Sequence, residues 1–190
     1  CLREWVGRTQ CMEEVLGVAP MNGLAALLDY PSRPWRGEQI APLGHWLYFL
    51  PQTLQRDISE DGHPQRGGFM PPVSLPRRMW AGSRLVYHRA PRLGESIRRQ
   101  SKILDIQAKG GKSGKLLFVN AGHELFSGDE LLLSEQQDIV YREAPKAAAF
   151  EYTTVPDELP TPDWRRELNP DPVLLMRFSA LTFNAHRIHY

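Results

Sequence analysis

The chain has 190 residues, 42% hydrophobic and 24% charged, with 23 Lys and Arg against 22 Asp and Glu for a formal charge of +1. This is the composition of an ordinary soluble globular protein of one domain, or one and a part, able to bury a core. No apolar run approaches the roughly 18 residues of a membrane span, and no basic opening leads into an apolar core. The expected location is therefore the cytoplasm, or the mitochondrial matrix in a eukaryote, with no membrane partner. Cys1 and Cys11 are the only cysteines, too few for a disulfide framework or for a zinc site without distant His, and both are expected to be reduced.

In chain order, Met12 to Tyr30 reads as a helix. Val15, Leu16, Val18, Ala19, Leu24, Leu27 and Leu28 are spaced for one buried face, with a break or kink near Pro20. Leu43 to Leu50 reads as a first strand ended by Pro51. Gln52 to Pro76, punctuated by Asp61-Gly62, Gly67-Gly68 and Pro71-Pro72, is a long loop of the kind that is functional or disordered in a compact domain. Strands are expected at Arg78 to His88, Ser96 to Ala108, Lys115 to Phe126 and Gln136 to Arg142, with turns at Pro91 to Gly94 and Lys109 to Gly114. One early helix followed by antiparallel strands joined by glycine turns is an α+β pattern. Prolines at 156, 160, 162, 170 and 172 mark a connection. The expected division is residues 1–145 as a first domain, 146–172 as a linker and 173–190 as the start of a second domain, a stub too short to bury its own core.

Charge is uneven: Arg77 to Lys115 holds eleven Lys or Arg against two acids, and Glu124 to Asp171 twelve acids against four bases. A basic stripe can mark nucleic acid, but no aromatic interleaving or binding module accompanies it, and no nucleic-acid partner is expected. Solvated strand faces paired with an acidic neighbour explain the same pattern, as do donors for the phosphates of a small-molecule ligand. Gly111-Lys112-Ser113 lacks the upstream Gly of a phosphate-binding loop and reads as a turn. His45, His63, His88 and His123 are scattered and read as surface or strand histidines.

The last thirteen residues, Phe178-Ser-Ala-Leu-Thr-Phe-Asn-Ala-His-Arg-Ile-His-Tyr190, place Asn184, His186 and His189 beside Phe178, Leu181, Phe183 and Ile188. Polar groups desolvated in that setting must be hydrogen-bonded, and an imidazole poised near neutrality suits proton transfer. Taken structurally, the same residues are a satisfied core histidine and a turn asparagine. His186 and His189 could ligate a metal, but no carboxylate or Cys stands near in sequence, and no metal is expected.

This segment resembles the signature of the MaoC-like (R)-enoyl-CoA hydratase and dehydratase superfamily, Asp-x-Asn-Pro-x-His. It is most similar to the branch of mesaconyl-C4-CoA and itaconyl-CoA hydratases and the mitochondrial hydroxyacyl-thioester dehydratase. Leu75-Pro-Arg-Arg-Met-Trp-Ala-Gly82, Gly67-Gly-Phe69 with Pro71-Pro72, and Glu135-Gln-Gln-Asp-Ile-Val-Tyr-Arg142 extend the resemblance over most of residues 40 to 190. It implies a hot-dog fold, a helix wrapped by an antiparallel sheet, as the amino-terminal half of a double hot-dog with the second half truncated. Asn184 then takes the position of the family's Asp, His186 its Asn, Arg187 its Pro and His189 its His.

Asn184 cannot be a base. The resemblance therefore implies that His189 activates water for reversible addition to a 2,3-unsaturated acyl thioester while Asn184 orients the water or the imidazole, with His186 and Arg187 supporting. The oxyanion donor it implies is a backbone N–H at the start of the helix that follows the motif. Arg77 and Arg78 are candidates for coenzyme A phosphates or a substrate carboxylate. No metal or organic cofactor is implied, coenzyme A being part of the substrate. A homodimer or higher oligomer through the sheets is expected. Two alternatives stay open: a dehydratase reading acyl-carrier protein, and a non-catalytic hot-dog module that binds acyl thioesters or dimerises.

Overall fold

The computed structural model describes residues 2–111, 114–143 and 161–189. Five strands form one antiparallel sheet: β1 (Thr9–Val15), β2 (Arg77–Tyr87), β3 (Ser96–Gly111), β4 (Gly114–Ser127) and β5 (Glu130–Arg142), in the order β1-β3-β4-β5-β2. Helix α1 (Val18–Leu27) follows β1, and helix α2 (Pro172–Leu181) precedes the terminal segment.

The helix expected at Met12 to Tyr30 is a strand and a shorter helix. Thr9 to Val15 pair with Ser96 to Lys102, and Pro20 sits in the first turn of α1, where a missing N–H costs nothing. The residues before Pro20 show apolar spacing that fits a helix locally, but an open sheet edge takes them. Leu43 to Leu50 is likewise not a strand. Gly44–Leu47 make a buried 3-10 turn, and a short apolar run is the case in which periodicity cannot choose. The other strands stand where expected, with β5 starting earlier, at Glu130. Lys112 and Ser113 lie outside the described residues, but Gly111 pairs with Gly114 across them. Residues 144–160, which include 146–160 of the expected linker, also lie outside the described residues.

Register sets the inner face of the sheet. Gln10, Met12 and Glu14 of β1 oppose Ser101, Arg99 and Ile97 of β3. Leu125, His123 and Ala121 of β4 oppose Leu133, Glu135 and Gln137 of β5. One apolar cluster lies under α1, joining Leu16, Met21, Tyr48, Ile97, Leu125, Leu132 and Leu133. A second joins Ile103, Leu117, Val119, Ile139 and Tyr141, with Phe69, Met70 and Leu75 of the long loop packed against it. Along the same strands, between Ile97 or Leu133 on one side and Ile103 or Ile139 on the other, run Arg99, Ser101, His123, Glu135 and Gln137.

Those polar groups are mostly satisfied, as burial demands. The Glu135 carboxylate lies 3.1 Å from His45 Nε2 and accepts from Trp46 Nε1 at 3.2 Å and Gln137 Nε2 at 3.0 Å. Burial alone would raise its pKa, but these bonds, His45 foremost, hold it at about 2. His123 Nδ1 lies 2.8 Å from Ser101 Oγ, and burial pushes this imidazole down to about 4. His123 is a strand histidine as expected and His45 sits buried in the 3-10 turn, and both are parts of one structural network. The basic stripe is paired in part: Arg84 meets Asp138 at 2.8 Å, and Arg89 meets Glu95 and Glu130 at 2.9 Å.

Helix α2 starts at an Asp cap, with Leu174 N–H donating to Asp171 Oδ1 at 2.7 Å and Pro172 in the first turn. It leans on α1 at Gly23, where a Cβ would stand 2.6 Å from Leu181 Cδ2 and would oblige that side chain to shift.

Candidate active site

Ser179, in the last turns of α2, is the one buried residue of that helix. Its hydroxyl donates to the Leu175 carbonyl at 2.7 Å and lies 2.5 Å from His189 Nδ1. A serine hydroxyl has one proton. Because that proton goes to Leu175, Oγ accepts from Nδ1–H, which leaves His189 Nε2 as the ring's lone-pair nitrogen. The network thereby assigns the tautomer that a base requires.

The chain between them turns tightly. Phe183 has φ of 47°, and Asn184 Oδ1 accepts from His186 N–H at 3.0 Å, a local turn bond. The residues beside the motif are less desolvated than expected. Asn184 is exposed, and Phe183 and Ile188 are 62% and 74% exposed. The cause is sparse packing: α2 rests on α1 and the turn on the long loop, and apolar side chains of α2 such as Val173 and Phe178 stay exposed.

The loop side brings in residues that sequence reasoning set aside. Arg187 N–H donates to the Asp61 carbonyl at 3.0 Å. Gly62 has φ of +87°, and a Cβ there would fall 1.7 Å from the Ala185 oxygen, so the two backbones touch through a glycine. Asp61 accepts from His63 N–H at 3.0 Å and stands 3.1 Å from His63 Nδ1, while the His63 ring lies 4.3 Å from that of His186. His186 is in turn 6.3 Å from His189, ring to ring. Burial holds His63 and His186 below the ordinary histidine value, with Asp61 opposing and Arg78 adding to the shift. Burial would raise Asp61, but its bonds from His63 outweigh it and hold the carboxyl low.

Asn184 and His189 line two adjoining cavities. One, about 510 Å³, is walled by Pro51, Thr53, Pro64, Met176 and Ser179, with Arg187 also on its wall. The other, about 640 Å³, holds Asp61, His63, Arg77, Arg78, Trp80 and His186. The six residues singled out from sequence are thus gathered around one region. Ser179, Asp61 and His63 were missed. Ser179 carried a signal, a lone hydroxyl in an apolar helix ten residues before His189, whereas nothing local ties His63 to the motif. The structure also supplies the carboxylate absent from the motif's neighbourhood: Asp61, His63 and His186 put ligand atoms within 4.8 Å of one another, the one such cluster among the described residues. Among those residues no helix is long and apolar enough to cross a membrane.

A five-stranded antiparallel sheet around a helix, in this strand order, is a hot-dog fold. A structure described as a MaoC-like dehydratase superposes on all of this chain and 70% of its own, with a TM-score of 0.60 and 15% identity. The model of the family described as hydroxyacyl-thioester dehydratase type 2 matches residues 41–190, and the chain belongs to that family. Mesaconyl-C(4)-CoA hydratase of Chloroflexus aurantiacus is 46% identical over 98% of this chain and 66% of its own length. Mitochondrial hydroxyacyl-thioester dehydratase type 2 of Schizosaccharomyces pombe is 25% identical over 80% of this chain and 57% of its own. The chain thus spans less than two thirds of the length of the curated relatives it matches.

Proposed function

We propose that this chain carries the water-activating part of a hydratase/dehydratase that adds water reversibly to a 2,3-unsaturated acyl thioester of coenzyme A, mesaconyl-C4-CoA being the leading candidate. The single observation that carries this reading is the Ser179–His189 bond: with the Ser179 hydroxyl donating to Leu175, a neutral His189 ring carries its proton on Nδ1 and keeps the lone pair on Nε2. His189 Nε2 takes a proton from water as the water oxygen bonds to C3, and the same proton returns to C2 as the enolate collapses, so atoms balance without metal or organic cofactor. Asn184, its Oδ1 engaged with His186, has its NH2 left to orient the water or the thioester. Asp61 and His63 position His186, and through it the turn that carries His189. Arg77 and Arg78 serve the substrate's anionic groups.

The exposed apolar side chains of α2 support the reading of residues 173–190 as the opening of a second hot-dog unit after the 146–172 linker. A homodimer or higher assembly through the sheets belongs to the same proposal, as does a water-soluble thioester met in the cytoplasm or in a mitochondrial matrix.

The test uses the full-length protein and follows loss of enoyl-thioester ultraviolet absorbance with crotonyl-CoA, mesaconyl-C4-CoA and itaconyl-CoA, and with the matching carrier-protein thioester. Turnover that His189→Ala reduces on the order of 10²- to 10⁴-fold, with the fold retained, is the expected result. Turnover of carrier-protein thioesters alone shifts the substrate to that class. No turnover of any thioester leaves a binding module.

A further inference from the structure

Asp61 and His63 belong to the long loop and His186 to the terminal turn, yet their ligand atoms all lie within 4.8 Å of one another. Backbone contacts hold the two segments together: Arg187 N–H donates to the Asp61 carbonyl at 3.0 Å, and the Gly62 backbone lies against Ala185. The three side chains are therefore brought together before any ligand arrives, which spares a ligand the cost of ordering them. Within the set, Asp61 Oδ1 accepts from the His63 N–H at 3.0 Å, and Oδ2 faces His63 Nδ1 at 3.1 Å. The His186 ring is half-buried, 4.3 Å from that of His63, and among the described residues it has no hydrogen-bond partner.

Donors placed about 2.0 to 2.1 Å from a tetrahedral ion stand about 3.3 Å from one another. Side-chain rotation closes the present set to that spacing. Two imidazoles and one carboxylate suit a borderline ion such as Zn²⁺, Co²⁺ or Ni²⁺, whereas Mg²⁺ and Ca²⁺ take oxygen ligands. Asp61 is the one acid lining the cleft of about 640 Å³ that holds the three residues. Arg78 lines it as well, and its positive charge bears on both rings. A single carboxylate with a guanidinium close by makes a site that releases its ion readily, and three protein ligands leave a fourth position to water.

We propose that Asp61, His63 and His186 form a reversible site for a divalent transition-metal ion of the zinc class, which pins the terminal turn to the long loop and slows turnover. The ion takes no part in the addition of water. It acts on His189, whose ring stands 6.3 Å from that of His186 and lines the same cleft. A dication there opposes the positive charge that His189 acquires when it takes a proton from water. The slowing rests on the hydratase reading, and the metal site does not.

The test takes the full-length protein, strips it of metal with a chelator and titrates it with zinc chloride in a calorimeter. Zinc binds saturably to the wild type and at least tenfold more weakly to His63→Gln and to His186→Gln. It binds severalfold more tightly to Arg78→Gln, which removes the opposing charge, and unchanged to His88→Gln, an exposed histidine outside the cleft. Cobalt(II) in place of zinc develops the strong visible bands of a low-coordinate ion, and both histidine variants lose them. Zinc raises the thermal midpoint of the wild type alone, and it lowers turnover of mesaconyl-C4-CoA at least severalfold until a chelator restores it. Should one histidine variant not fold, the other and Arg78→Gln decide the matter. Absence of saturable binding, or binding that the histidine variants leave unchanged, overturns the proposal, and turnover that bound zinc does not alter overturns the slowing. Zinc binding that needs His63 and His186 in a protein that hydrates no thioester discards the hydratase reading and leaves the metal site standing.

Discussion

Ser179 Oγ and His189 Nδ1 stand 2.5 Å apart, and the serine's proton is already committed to the Leu175 carbonyl. A helix hydroxyl thus chooses which nitrogen of a distant imidazole is basic. Ser179→Ala removes the acceptor and lets the ring sample the other tautomer. We expect kcat to fall on the order of tenfold with little change in KM, a fraction of the loss on removing the base itself. Nitrogen NMR of the His189 ring checks it: the Nδ1–H tautomer should dominate in the wild type and lose population in the variant.

Asp61 supports positive charge on both His63 and His186. Asp61→Asn deletes that support while keeping the shape, so the titration midpoints of both rings should move further below the ordinary histidine value. Proton NMR titration reads this without any substrate, and unchanged midpoints would show that the loop does not dock on the motif.

Gly62→Ala meets two obstacles, a left-handed backbone and the Ala185 oxygen. The conformational cost is about 1 to 2 kcal/mol, and the contact displaces the 184–189 turn as well. Lower thermal stability together with a loss of turnover is expected. Gly68→Ala, where a Cβ meets nothing, should leave both unaltered.

Acid stability is set by the inner-face network. His123 has a folded-state pKa of about 4 against 6.5 in the unfolded chain, so above 6.5 it is neutral in both states and costs nothing. As pH falls from 6.5 to 4 the unfolded state gains a proton that the folded state refuses, and stability drops by about 3 kcal/mol in all. Glu135, at about 2 when folded against 4.5, adds a further loss as pH falls below 4.5. Urea unfolding at stepped pH should show a steep decline between 6.5 and 4 in the wild type and a shallower one in His123→Gln, where the lowered His63 and His186 supply what remains above 4.5.

The hairpin strands were legible because Trp80, Val86 and their neighbours alternate with period two and glycine punctuates the turns. The clustering of Asn184, His186 and His189 was legible too, because the three are close in sequence. What was hidden depends on long-range placement. Thr9 to Val15 become a strand only because β3 offers them an edge, and Asp61 and His63 reach His186 only because a glycine lets one backbone lie on another. The desolvation expected around Phe183 and Ile188 presumed a covering that the chain supplies only in part.

The contact of Arg187 N–H with the Asp61 carbonyl, tightened by Gly62, joins a late segment to an early loop. On a ribosome the loop and the four strands after its start emerge before the catalytic turn exists, so His189 arrives at a dock that is already built. The dock therefore precedes its guest in synthesis, and a protein halted anywhere short of the α2 turn has the sheet and the loop but no imidazole to receive.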